Sequence, residues 1–99
     1  MSRRTDRVNG LLRQEISGVL ATEIKDHRLP ALVSVTKVEV SPDLRRAKVF
    51  VSVLGDDSEK AVALKVLLSA TGFIHRILRK KLNLRSVPIL EFRLDESIE

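Results

Sequence analysis

The chain has no cysteine, no tryptophan and no tyrosine in 99 residues. Without cysteine there is no disulfide, no zinc–thiolate site and no cysteine nucleophile. A small domain that folds without disulfides fits a reducing compartment, so the expected location is the cytoplasm. Aromatic residues are limited to Phe50, Phe73 and Phe92, too few for a sheet that stacks bases on a row of rings. The four glycines form no P-loop and no dinucleotide-binding loop. No apolar run approaches the ~20 residues that span a bilayer. The N-terminus is charged and lacks the apolar region of a signal peptide. His27 and His75 are the only histidines; they form no metal-ligand spacing, and no serine sits in a nucleophile elbow. These absences argue against an enzyme, a metal site, a cofactor, a membrane partner or a small-molecule substrate.

What is present is charge. Eighteen Lys and Arg against thirteen Asp and Glu give a net charge of +5, with a pI near 10.1. An excess of this sign favours a polyanionic partner, nucleic acid first. The charge is also segregated. Arg76, Arg79, Lys80, Lys81 and Arg85 follow one another with no acid between Glu59 and Glu91. Acids gather instead at Asp56, Asp57 and Glu59 and again at Asp95, Glu96 and Glu99. The length allows one domain with a modest core, and a monomer is the default.

The pattern along the chain predicts five segments of regular structure. Val8, Leu11, Leu12, Ile16, Val19, Leu20 and Ile24 recur every three or four residues, which predicts a helix over 3–25. His27 to Pro30 should end it, since proline disfavours helical geometry in the residue before it. Residues 33–41 read as a strand whose alternation changes phase between Val35 and Val38. Either a bulge lies there or Val33 and Val35 face a second apolar surface; Thr36, Val38 and Val40 are the preferred inward set. Ser41-Pro42-Asp43 is turn chemistry, and residues 47–54 alternate as a second strand, making an antiparallel hairpin. A second helix should begin near Glu59, capped by Asp57 or Ser58. It should break at Ala70-Thr71-Gly72 and restart as a basic helix. Pro88 stops it, and residues 89–94 form a third strand.

The break and the basic run after it each have two readings. Gly72 either packs where a helix bends, or lets a restarted helix offer free N–H groups to a phosphate. The basic residues are either a solvated helix face or part of an RNA-binding surface. Arg45, Arg46 and Lys48 form a second basic group and Arg3, Arg4 and Arg7 a third. Convergence of the three would make binding salt-sensitive through counterion release. His27 suits a helix end, and His75 is either a phosphate contact or solvated. Lys48-Val49-Phe50-Val51 resembles one strand of an RNA-recognition motif, but lacks its glycines and second aromatic.

Four stretches together carry a family resemblance. They are Arg7-Val8 with Leu11-Leu12-Arg13-Gln14-Glu15-Ile16; the hairpin from Val38-Glu39-Val40-Ser41-Pro42-Asp43-Leu44 to Ala47-Lys48-Val49-Phe50-Val51-Ser52; Ala70-Thr71-Gly72-Phe73-Ile74-His75-Arg76; and Leu82-Asn83-Leu84-Arg85-Ser86-Val87-Pro88. In this order, over nearly the whole chain, the sequence resembles the ribosome-binding factor A family of bacterial small-subunit assembly factors. The resemblance implies an α+β fold of type II KH-like kind, α-β-β-α-kink-α-β, with the helices packed on one face of a three-stranded sheet. It implies that Ala70-Thr71-Gly72 is a kink in place of the KH Gly-x-x-Gly loop. It also implies a non-catalytic factor without cofactors. Such a factor binds the free 30S subunit and 16S rRNA around the decoding region and neck, and supports late maturation, 5′-end processing and cold adaptation. On this reading residues 1–95 are one domain, and the polar residues 96–99 begin a C-terminal extension that the family usually carries further. The rival reading is a protein-interaction adaptor that uses the sheet edge or apolar patches. A small DNA-binding domain is disfavoured by the lack of helix-turn-helix spacing.

Overall fold

A computed structural model describes residues 3–24, 33–84 and 86–96. It contains α1 (Arg3–Thr22), β1 (Val33–Val40), β2 (Arg46–Val53), α2 (Asp57–Lys81) and β3 (Ile89–Leu94). The strands form one sheet in the order β1-β2-β3. β1 runs antiparallel to β2, and β3 runs parallel to β2. A parallel neighbour needs a crossover, and α2 supplies it.

The core follows from the apolar periodicities. α1 buries Leu12, Ile16, Val19 and Leu20, each worth roughly 1.5–3 kcal/mol when removed from water. That outweighs the ~1 kcal/mol each that Gly10 and Gly18 cost in a helix interior. The helix stops at Thr22, a turn earlier than expected, where the Thr22 hydroxyl donates to the Gly18 carbonyl at 2.8 Å. The predicted stop signal, His27 to Pro30, lies outside the described residues.

Across from the helices, Val35, Val38, Val40, Ala47, Val49, Val51, Leu90 and Phe92 form the inner face of the sheet. The phase change in β1 is a bulge. Val35 pairs with Val51 and Lys37 with Phe50, so Thr36 is the extra residue. The bulge corrects the preferred inward set: Val35, not Thr36, joins Val38 and Val40 in the core. Thr36 instead donates its hydroxyl to Asp95 Oδ2 at 2.6 Å. Lys37, Glu39, Arg46, Lys48, Phe50, Glu91 and Arg93 are left on the outer face, which neither α1 nor α2 covers.

α2 also departs from the expected pattern. Residues 57–81 form one helix, with no break at Ala70-Thr71-Gly72. Its apolar residues explain the continuity. Ala63, Leu67, Ile74 and Leu78 are buried, and Ala70 and Ile77 pack against the same core. All six keep a single 3.6-residue phase across Gly72, so one sheet face holds both halves. The N-terminus is closed by a capping box: Asp56 accepts from the Glu59 N–H at 2.8 Å, and the Glu59 carboxylate accepts from the Asp56 N–H at 3.0 Å. Gly55 enters this box at φ 159°, where an added Cβ would lie 3.0 Å from Glu59. By length and mean hydropathy α2 is apolar enough to cross a membrane, a property that a count of uninterrupted apolar runs misses. Here its apolar side lies on the sheet.

Twenty-five residues at about 1.5 Å each make a rod of about 37 Å. That is the length of the molecule's longest dimension in an envelope of 36 × 28 × 17 Å. The result is a two-layer α+β sandwich in the type II KH-like order α-β-β-α-β.

Candidate nucleic-acid interface

The topology brings three chain segments to one end of the long axis. The β1–β2 turn is there by construction. The Val40 N–H donates to Asn9 Oδ1 at 2.8 Å, so the first turns of α1 lie beside the turn. The Ile89 N–H donates to the Arg45 carbonyl at 2.9 Å, which brings the start of β3, and with it the end of α2, to the same place. Arg4, Arg7, Arg45, Arg79, Lys80 and Lys81 therefore share one end of the molecule, all exposed. The opposite end, where β2 and β3 finish, holds Asp56, Asp57, Glu59, Asp95 and Glu96. α2 itself carries acids in its first turn and bases in its last, the sense its dipole favours.

The turn is built by its own side chains. Ser41 donates its hydroxyl to Asp43 Oδ1 at 2.7 Å, and the Arg45 N–H donates to the same oxygen at 3.1 Å. These bonds favour the carboxylate and lower the pKa of Asp43 below its ordinary 3.8, the Ser41 bond being the larger cause. Leu44 follows at φ 62°, a left-handed geometry that costs a leucine about 1–2 kcal/mol. Its side chain packs against the core in return.

The expected basic residues divide into two groups. Arg4, Arg7, Arg45, Arg76, Arg79, Lys80 and Lys81 lie on α1, α2 or the turn, and none forms an ion pair among the described residues. Arg46 and Lys48 lie on the bare face of the sheet among acids. Arg46 is held by Glu91 at 2.8 Å, and Lys48 stands in register between Glu39 and Glu91. The three groups share an end of the molecule without forming a single face. Arg85 lies outside the described residues. Arg3 begins α1.

Ala70, Thr71 and Gly72 lie inside the helix and offer no second N-terminus. Thr71 donates its hydroxyl back to the Leu67 carbonyl at 3.0 Å. An added Cβ on Gly72 would meet only the Arg76 guanidinium, at 3.8 Å. Phe73, the one exposed ring of the three, stands one turn before Arg76. His75 has a role that neither sequence reading included: its Nε2 donates to the Val87 carbonyl at 3.0 Å and ties the segment after α2 to the helix. On the bare sheet face, Lys37 sits 4.8 Å from the Phe50 ring centroid and occupies the surface where a base would stack.

Comparison with known proteins gives consistent matches. The profile of the family described as "Ribosome-binding factor A" matches residues 4–99. The ribosome-binding factor A of Acetivibrio thermocellus is 47% identical over 96 residues, covering 97% of this chain and 78% of that one. The crystal structure of ribosome-binding factor A from Thermus thermophilus superposes with a TM-score of 0.78, covering 91% of this chain and 93% of that one at 23% identity. A homology model of Thermus thermophilus ribosome-binding factor A, fitted into the cryo-EM map of a complex of the 30S subunit with ribosome-binding factor A, gives a TM-score of 0.74 at 23% identity, with the same coverage. The two structural likenesses speak for the fold.

Proposed function

The chain belongs to the ribosome-binding factor A family, and from that premise we propose that it binds the free 30S ribosomal subunit through its basic end, as a non-catalytic assembly factor acting in the cytoplasm. The observation that carries this is the collection of unpaired cations from α1, the β1–β2 turn and the end of α2 at one pole, with acids at the other. Such a body docks end-on against a phosphate-rich surface, with its acidic pole turned away. Backbone phosphates set affinity and orientation here, since the only exposed ring is Phe73. A homology model of the Thermus thermophilus relative has been fitted into the map of a 30S complex with ribosome-binding factor A, and 16S rRNA is the polyanion of that subunit.

We assign to the same binding a role in late 30S maturation, including 16S 5′-end processing carried out by other enzymes, and in growth at low temperature. Arg4, Arg7, Arg45, Arg79, Lys80 and Lys81 are the primary phosphate contacts. Arg3, Arg76 and Arg85 are auxiliary, and Arg46 and Lys48 are weakened by their acidic neighbours. The test is co-sedimentation through sucrose gradients with purified 30S and 70S particles. The chain should travel with 30S particles, less at higher salt, and not with 70S ribosomes. Migration only at the top of the gradient in low salt would refute the proposal.

A further inference from the structure

Two clefts meet at the basic end. One, of about 460 Å3, is lined by Arg4, Arg7, Val8, Leu11 and Leu84. The other, of about 260 Å3, shares Arg4, Val8 and Leu84 and continues past Leu44 to Asp43 and Pro88. Together they form an aliphatic groove with Arg7 lining one part, Asp43 the other and Arg4 both. Among the described residues neither Arg4 nor Arg7 has an ion pair or hydrogen bond. Both are free to meet an anion.

We propose that this groove takes one unstacked nucleobase of single-stranded RNA, with the adjoining phosphates on Arg4 and Arg7 and the base edge turned to Asp43. The proposal rests on the RNA-binding reading of the same end and names the form of RNA that fits there. A nucleotide has the required layout: an apolar-faced plane next to a charged link. Val8, Leu11 and Leu84 cover the faces of a ring, and an arginine plane stacks on it as an aromatic would. A base-paired strand cannot deliver its base into a groove, so the strand must be single.

Asp43 sets the expected preference. Its Oδ1 is taken by Ser41 and Arg45, which leaves Oδ2 to accept from an exocyclic amino group. Adenine, cytosine and guanine carry one and uracil does not, so uridine should bind worst. The same carboxylate disfavours the competing occupant, an acidic amphipathic peptide, by placing a like charge at the groove's end.

Fluorescence-anisotropy titration of the full chain against short single-stranded RNAs tests this. The probes are an oligoadenylate, the same strand with one abasic position at each site in turn, an oligouridylate and a duplex of equal length. Loss of one base should weaken binding about five- to tenfold, and oligouridylate should bind more weakly than oligoadenylate. Leu84→Ser should remove the abasic effect while leaving the salt dependence unchanged. Leu11→Ser, at a residue 37% exposed, provides a second variant whose folding is not at stake. Asp43→Asn should narrow the gap between oligoadenylate and oligouridylate. Equal affinity for intact and abasic strands, with salt-sensitive binding retained, overturns the base slot and leaves the 30S proposal standing. Absence of salt-sensitive binding to every probe also overturns the base slot, and the gradients with 30S particles then decide the 30S proposal separately. Displacement of RNA from the wild type by a Glu–Leu peptide, with no displacement from Leu84→Ser and no abasic effect, assigns the groove to a protein partner.

Discussion

The imidazole of His75 spans from α2 to the Val87 carbonyl, and it holds the segment that carries Leu84 and Pro88. A carbonyl oxygen only accepts, so Nε2 carries the proton. Removing the ring leaves a half-buried carbonyl without its donor, a loss of about 1 kcal/mol. His75→Ala should lower the urea midpoint accordingly, and proteolysis within 82–88 should become faster. An unchanged midpoint would mean the bond contributes nothing net. Asp43 gives a pH-dependent counterpart. Its folded pKa lies below 3.8, so its contribution to stability is present above 3.8 and fades as pH falls through the folded value. The stability difference between wild type and Asp43→Asn should therefore be constant near neutral pH and shrink in steps taken below 3.8. A difference that grows on acidification would contradict the hydrogen bonds assigned to the turn.

At the scale of elements, α2 separates two accounts of Gly72. If the residue sits in an unbroken helix with open space beside it, alanine should be the better residue, stabilising by about 0.5–1 kcal/mol. A position that needs glycine for a sharp break would lose stability instead. Thermal and urea unfolding of Gly72→Ala decide between them, and the Cβ distance of 3.8 Å to Arg76 favours the gain. The same helix shows how far sequence reasoning reaches. Ala63, Leu67, Ala70, Ile74 and Leu78 already keep one phase in the sequence, and a break is expected there only when a glycine is weighted above that phase. The bulge in β1 was legible as a slip between Val35 and Val38, because a period of two tolerates no insertion without moving a side chain to the other face. Asn9 and His75 were not legible. Each bonds a backbone group from a distant segment, 31 and 12 residues away, and no local periodicity records such partners. The candidate site was legible as clusters of charge. The division between free cations and those compensated by Glu39 and Glu91 depends on strand register, which composition does not contain.

At the scale of the whole molecule the charge separation along the 36 Å axis makes a directional prediction. Each phosphate neutralised contributes about 0.7–0.9 to the slope of log affinity against log salt, so losing two contacts should lower that slope by roughly 1.4–1.8. Arg79→Glu with Lys80→Glu should do this for 16S rRNA fragments, and reversal should weaken binding more than neutralisation to glutamine. The matched control must lie at the far pole. Glu91 is unsuitable although it is acidic, because it holds Arg46 at 2.8 Å, so changing it would release a cation at the binding end. Glu23 and Glu96, exposed at the other end, serve instead. Glu23→Lys with Glu96→Lys adds positive charge without adding a contact in an end-on complex. At and above physiological ionic strength, where a field reaching along the axis is screened, it should leave both affinity and salt slope within error. Equal effects of the two pairs would mean that net charge alone drives binding. A larger effect at Glu23 and Glu96 would turn the docked molecule end for end.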